Sequence, residues 1–320
     1  MESRKVAVID LGTNTFNLLL AKVTPSAYYI YFSEKIPVMV GKGGINHGII
    51  SAPAQKRALA ALLYYRSVIK KEGVTEIYGY ATSAFRNARN GVAFKDRLSR
   101  ITGLPLSIIS GDTEAEHIYH GVRSALQIGP KPALIVDIGG GSVEFIIGTS
   151  HKILWKRSIE IGAQRLHDLF HQVDPITTDN LNQLYRYFDL HLGGLLENVR
   201  IYKPYTLIGS SGTFDTLSEI HCHRSGLEPF SDDTEMPLDI ESFQAIHQDL
   251  LGKNKQERLK VPGMLEMRVD MIVVASCLID YLLHHHSFNA IRVSAHSLKE
   301  GMLRAIQQSL VVTEQISAVR

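Results

Sequence analysis

Two stretches far apart in the chain share one pattern: an apolar run closing on aspartate, a glycine turn, and a second apolar run. They are VAVIDLGTNTFNLLLAKV at 6–23 and ALIVDIGGGSVEFIIGTS at 133–150. Laid side by side, Asp10 falls on Asp137 and Gly12 on Gly139, with strand-like segments flanking each turn. The recurrence predicts an internal duplication. Its unit is far longer than a solenoid repeat, so two similar domains facing across a ligand cleft are expected. A chain of 320 residues has room for both and a core for each.

Around the first turn, residues 5–10, 16–23 and 27–36 read as a three-strand meander. A helix from Pro53 to Glu72 with Ser51 as N-cap, a strand at 75–80, a helix over 87–102, a strand at 106–109 and a helix over 112–127 then alternate. That order favours an α/β sheet. The Gly/Pro-rich IGPKP at 128–132 marks the expected boundary, which gives a first domain over 1–127, a second over 128–300 and a C-terminal helix over 301–320 packing back on the first.

Composition excludes more than it selects. The net charge of +2 is too near balance to imply a nucleic acid partner, although Arg86, Arg89, Lys95, Arg97 and Arg100 cluster, as do Lys56, Arg57, Lys70 and Lys71. Such clusters read as solvated helix faces or as a surface that draws in a polyanion. The two cysteines, Cys222 and Cys277, lie far apart, which fits a reduced, cytoplasmic setting. No signal peptide precedes the first strand, and the apolar run near 271–286 breaks at Asp280, so no membrane partner is expected.

Glycine lets backbone N–H groups converge on one anion, so each turn is a candidate phosphate cradle as well as a plain hairpin. The first adds Thr13, Asn14 and Thr15 as donors to Gly12; the second, Gly139, Gly140 and Gly141, adds Ser142. Asp137 and Glu144 flank the second turn with charge that anionic phosphate alone does not need, which implies either a magnesium ion between them or a solvent-facing Glu144 on the strand with Asp137 merely capping the turn. A third turn, Gly209 to Thr213 with Ser211 and Gly212 at its centre, follows another apolar strand and opens a helix. It suits an anion at a helix N-terminus or an ordinary capped connection.

These turns have the layout of the superfamily of acetate and sugar kinases, heat-shock chaperones and actin. DLGTNTFNLLLAKV, YATSAFRNARN, IISGDTEAEHIYHGV, VDIGGGSVEFIIG, IEIGAQRL, GSSGT and SLKEGML occur in one order. In that order the chain resembles the exopolyphosphatase and guanosine pentaphosphate phosphohydrolase family over nearly its whole length. The resemblance implies an α/β fold of two duplicated actin-like (ribonuclease H-like) domains. It makes Glu114 the base that deprotonates the attacking water, with Glu116 as second choice, and Arg86 the arginine on the transferring phosphoryl group. Asn14, Asn17 and Arg89 join the phosphate contacts, and Asp10 joins Asp137 and Glu144 as magnesium ligands.

The chain departs from the family at Met39, Ala295 and Lys299, and with only a short tail after EGML the long helical extension of the longer exopolyphosphatases is expected to be absent. The implied substrates are inorganic polyphosphate or guanosine penta- and tetraphosphate; a kinase and a non-catalytic nucleotide sensor are the readings from other classes. Oligomeric state is open, with a homodimer one option. His284 to His286 resemble a metal cluster but sit at the end of an apolar helix, where cations suit the dipole, and His221 to His223 lack a second ligand pair.

Overall fold

The computed structural model describes residues 3–228 and 234–318. The chain divides into two compact units, Met1–Gly121 with Leu298–Arg320, and Val122–Ser297.

The first unit holds strands β1 (Arg4–Leu11), β2 (Thr15–Val23) and β3 (Tyr28–Pro37), helix α1 (Ala52–Lys71), β4 (Glu76–Ala81), α2 (Ser83–Asn87), α3 (Gly91–Thr102), β5 (Leu106–Ile108) and α4 (Gly111–Ala125). Its sheet runs β3-β2-β1-β4-β5. The first three strands are antiparallel neighbours, and β4 and β5 join in parallel. Ser51 stands at the N-cap of α1 without capping it: its hydroxyl donates to the Lys42 carbonyl instead. The helix expected over 87–102 begins only at Gly91, as α3, and a separate short helix, α2, precedes it. A side chain at Gly91 would overlap the Phe85 carbonyl, and the Asn90 amide is spent on the N–H and carbonyl of Ile50 rather than on capping α3.

The second unit holds β6 (Ala133–Ile138), β7 (Val143–Gly148), β8 (Ile153–Ile159), α5 (Ala163–Phe170), α6 (Thr178–Tyr202), β9 (Thr206–Ser210), α7 (Gly212–Ser225), β10 (Glu235–Met236), α8 (Ile240–Leu251), α9 (Lys255–Arg258), α10 (Ile272–His285) and β11 (Ala290–Ser294). Its sheet runs β10-β11-β9-β6-β7-β8. Read from β8, the sequence of an antiparallel triplet followed by two parallel strands repeats the first sheet. This is the ribonuclease H-like topology of actin-like domains, present twice.

Strands β6 and β7 are buried along their whole length, as central strands covered on both faces must be. Helix α10, buried from Ile272 through Leu282, packs among α5, α6, α7 and α8. A helix apolar all round belongs in the middle of a core, and no helix among the described residues is long and apolar enough to cross a membrane. The last helix, α11 (Leu298–Ala318), lies on β1 and β2 of the first unit. It crosses α4 so closely that a side chain at Gly301 would overlap the His117 carbonyl.

The division falls inside α4, at Gly121, rather than at the 128–132 join, and again just before Leu298. Hydrogen bonds explain why. The carbonyl of Ala125 accepts from Thr234, that of Gln127 from Arg292, that of Gly129 from Ser150 N–H and that of Pro132 from Tyr205 N–H, so the join is stitched into the second unit.

Candidate active site

In the first unit, Asp10 and Asn17 stand opposite each other across the β1–β2 pair, and Asn17 Nδ2 donates to Asp10 Oδ2 at 2.8 Å. Gly12 N–H closes the turn on the Thr15 carbonyl at 3.1 Å, and a side chain at Gly12 would lie 2.8 Å from that oxygen. Asp10, Thr13, Asn14 and Asn17 are buried, although all are polar. A second loop grips the turn: Met39 N–H donates to the Asn14 carbonyl at 2.7 Å and Gly41 N–H to the Thr13 carbonyl at 3.1 Å. Met39 adopts a positive φ of 51° there, a conformation non-glycine residues rarely hold without support. Arg57 supplies the support, with Nε and Nη2 on the carbonyls of Val38 and Met39 at 2.7 and 2.8 Å.

Arg86, on α2, and Glu114, in the first turn of α4, come together: Arg86 Nη1 donates to Glu114 Oε2 at 2.8 Å and to the Ile109 carbonyl at 3.2 Å. Both side chains are largely buried. Glu116 is exposed. Arg89 lies apart from this pair, exposed between α2 and α3, with Nη2 on the His47 carbonyl. Of the basic cluster, Lys95 is taken up by Asp96 and Arg57 by the loop it braces.

In the second unit, Asp137 and Glu144 stand opposite each other across β6 and β7, the positions of Asp10 and Asn17 in the first hairpin. Neither faces solvent: both are at least nine-tenths buried. Glu144 Oε1 accepts from the hydroxyls of Ser142 and Ser158 at 2.7 and 2.6 Å. Asp137 Oδ2 accepts from Ser210 at 2.9 Å and from Ser297. Burial pushes the Asp137 carboxyl above its usual range, against the serine hydrogen bonds that favour the anion.

The motif IGAQ explains how the triple-glycine turn presents itself. Carbonyls of Gly139, Gly140 and Gly141 accept from the N–H groups of Ala163, Gln164 and Gly162 at 2.9, 2.9 and 3.1 Å, and Arg165 Nε adds a bond to Gly141 at 2.8 Å. All three carbonyls are thereby occupied from the α5 side. A side chain at Gly162 would overlap the backbone of Gly140 and Gly141, so only glycine permits this approach.

The third turn is more than a capped connection. Ser211 holds a positive φ of 74° and makes no side-chain cap to α7; its hydroxyl favours the anionic form of the Asp137 carboxyl. Over Gly212 lies the guanidinium of Arg268, which leaves no room for a side chain at 212. Arg268 is more than nine-tenths buried and its Nε has no hydrogen-bond partner. Burial pulls its pKa down, while the carboxylates of Asp215 and Asp137 hold the charge on. Sequence reading missed Arg268 because nothing local ties it to the glycine turn. Arg57 and Arg165 were missed too, since their partners are backbone carbonyls.

The histidine run at 284–286 is tied to the backbone. His284 and His285 pair their Nδ1 atoms with carbonyls four residues earlier, and His286 with the Pro204 carbonyl. Among the described residues no cluster of three or more His, Cys, Asp or Glu forms a metal cage. Ala295 N–H bonds to the Thr234 carbonyl, and Lys299 pairs with buried Glu300 at 2.8 Å.

The profile of the Ppx/GppA phosphatase family matches residues 19–310. The chain belongs to that family. An exopolyphosphatase from Cytophaga hutchinsonii is similar to this Ppx/GppA chain at 40% identity, with 96% of this chain and 99% of that one covered and a TM-score of 0.92. The Aquifex aeolicus PPX-GPPA enzyme shares the fold at 23% identity over 95% of this chain and 99% of its own, with a TM-score of 0.77. A guanosine-5'-triphosphate,3'-diphosphate pyrophosphatase of Pseudoalteromonas translucida is 24% identical over 95% of this chain, which spans 59% of that curated relative.

Proposed function

We propose that this Ppx/GppA protein is an exopolyphosphatase: water attacks the terminal phosphorus of inorganic polyphosphate, the bridging P–O bond breaks, and orthophosphate and a shortened chain leave. The observation that carries the reading is the buried Arg86–Glu114 pair, at 2.8 Å, in a unit whose glycine turn is braced by its neighbours. Likeness to the Cytophaga exopolyphosphatase supports polyphosphate as substrate.

In this reading Glu114 takes the proton of the attacking water, a role typically worth about 10²–10⁴-fold. Arg86 holds the Glu114 carboxylate with one edge of its fork and turns the other toward the transferring phosphoryl oxygens. In the first unit the backbone donors of Thr13 to Thr15, with Asn14 and Asn17 and with Gly12 shaping the turn, are phosphate contacts; in the second, those of Gly139 to Ser142, with Ser211 and Gly212, are. Arg268 adds a desolvated cation at the third turn.

In the second unit the donor chemistry of Asp137 and Glu144 suits magnesium, and in the first unit that of Asp10 does. Each offers a buried carboxylate, and magnesium ordinarily takes one or two of these while keeping waters and phosphate oxygens, so a dedicated cage is not required. When bound there, it would neutralise phosphate charge. The buried, unpaired Cys222 and Cys277 support a cytoplasmic enzyme.

The test is orthophosphate release from polyphosphate and, separately, from guanosine pentaphosphate, with magnesium, by the wild type and by Glu114→Gln. Release from polyphosphate that collapses in the variant supports the reading. Release from the nucleotide alone transfers it to the pentaphosphate, and an equally active variant removes Glu114 from the role.

A further inference from the structure

The cation at the third turn stands on a strap, residues 253–269, that links α8 to α10. Its course is set by one guanidinium and one carboxylate. Arg258 is only 1% exposed, yet every part of its fork is used. Nη1 donates to Asp174 Oδ1 at 2.7 Å and to the Lys253 carbonyl at 2.5 Å, Nη2 to Asp174 Oδ2 at 3.2 Å, and Nε to the Val269 carbonyl at 3.0 Å. Asp174, from the α5–α6 loop, also accepts from Lys255 N–H at 2.6 Å and from His171 Nε2 at 3.1 Å.

The strap's first residues and its last are therefore tied to the same ion pair. Between them, Gly263, at φ 87°, lies so close to the backbone of Glu219 and Ile220 in α7 that no side chain fits. Val269, whose carbonyl Arg258 holds, is the neighbour of Arg268, whose guanidinium covers Gly212.

A fully buried arginine this committed to backbone carbonyls defines geometry more than it adds stability. Its planar fork fixes three directions at once, which a lysine cannot reproduce. We propose that Asp174 and Arg258 are a positioning pair for Arg268, placing its guanidinium over the third glycine turn and so setting the affinity of that turn for phosphate. The proposal rests on the reading of the site as a polyphosphate hydrolase. Neither residue touches the substrate; both act through Arg268.

The experiment is a double-mutant cycle of Asp174→Asn and Arg268→Gln, read by calorimetric binding of methylenediphosphonate, a non-hydrolysable phosphoanhydride probe, and by KM and kcat for tripolyphosphate. Melting temperatures confirm that each variant is folded, and Arg258→Lys serves as an independent second lesion. Asp174→Asn is expected to weaken probe binding about tenfold, the scale on which outer-shell partners act. Its effect should fall on KM rather than kcat and should vanish in the Arg268→Gln background. Equal losses in both backgrounds, or unchanged binding by Asp174→Asn and Arg258→Lys in a wild type that does bind, would overturn the pair's role and leave the hydrolase reading intact. A wild type that neither binds the probe nor hydrolyses tripolyphosphate would overturn both.

Discussion

Arg86 Nη1 lies 2.8 Å from Glu114 Oε2, joining two helices of the first unit through a pair with little access to solvent. Removing one member of such a pair leaves a buried charge uncompensated, at a cost of about 3 kcal/mol. Arg86→Ala should therefore lose both stability and activity. Arg86→Ala combined with Glu114→Gln should regain much of the stability and none of the activity. Urea unfolding midpoints beside orthophosphate release separate the two; a double variant as unstable as Arg86→Ala would show that the pair is not what holds α2 to α4.

The three carbonyls of the triple-glycine turn are occupied by N–H groups from 162–164, and Gly162 makes that contact possible. Gly162→Ala forces two backbones apart. Overpacking of this kind typically costs about 1–3 kcal/mol. We expect a stability loss in that range together with weaker phosphate binding, since the turn's donors move with its carbonyls. Arg165→Met, which removes the bond to Gly141 and the pairing with Glu160 but leaves the three backbone bonds, should give a smaller change in the same direction, measured by phosphate binding.

How far these parts could be read in advance depends on how local they are. Glycine turns, Asp10, Asp137, Arg86 and Glu114 lie in short contiguous motifs whose chemistry is written in neighbouring residues, and the repeated hairpin exposed the duplicated topology. Arg268 acts on Gly212 across a strap whose course no sequence periodicity records. The break between α2 and α3 depends on Gly91 meeting Phe85, a packing event. IGPKP has a linker's composition, yet its carbonyls find partners in the second unit. Local propensity does not register such partners.

Asp137 and Glu144, opposite each other on β6 and β7, are the expected magnesium ligands of the second unit. Asp137→Asn and Glu144→Gln should each reduce magnesium affinity by about tenfold or more, because a carboxylate oxygen is replaced by a weaker neutral donor. Calorimetric titration of the folded protein with magnesium chloride gives the answer directly. Affinities equal to the wild type would move the ion elsewhere. Chelation of divalent metal should abolish orthophosphate release and readdition should restore it.

His171 is buried beside Arg258, His167 and Asp174, and burial, then the Arg258 charge, holds its imidazole below the usual value despite the Asp174 carboxylate. The unfolded chain binds a proton at this residue near pH 6.5, where the native chain still refuses it. Below that pH the unfolded state therefore carries more protons, and stability falls as pH drops from about 6.5 through the lower native value. One such group contributes a slope of up to about 1.4 kcal/mol per pH unit across the window. His117 and His247, also lowered mainly by burial, act in the same direction, so the whole protein should lose stability between neutral and mildly acid pH. His171→Gln should flatten that decline without abolishing it. Urea midpoints at intervals from pH 7.5 to 5.0, converted with a common m-value, test this: parallel curves for variant and wild type would mean that His171 takes up its proton in the native state as readily as in the unfolded one.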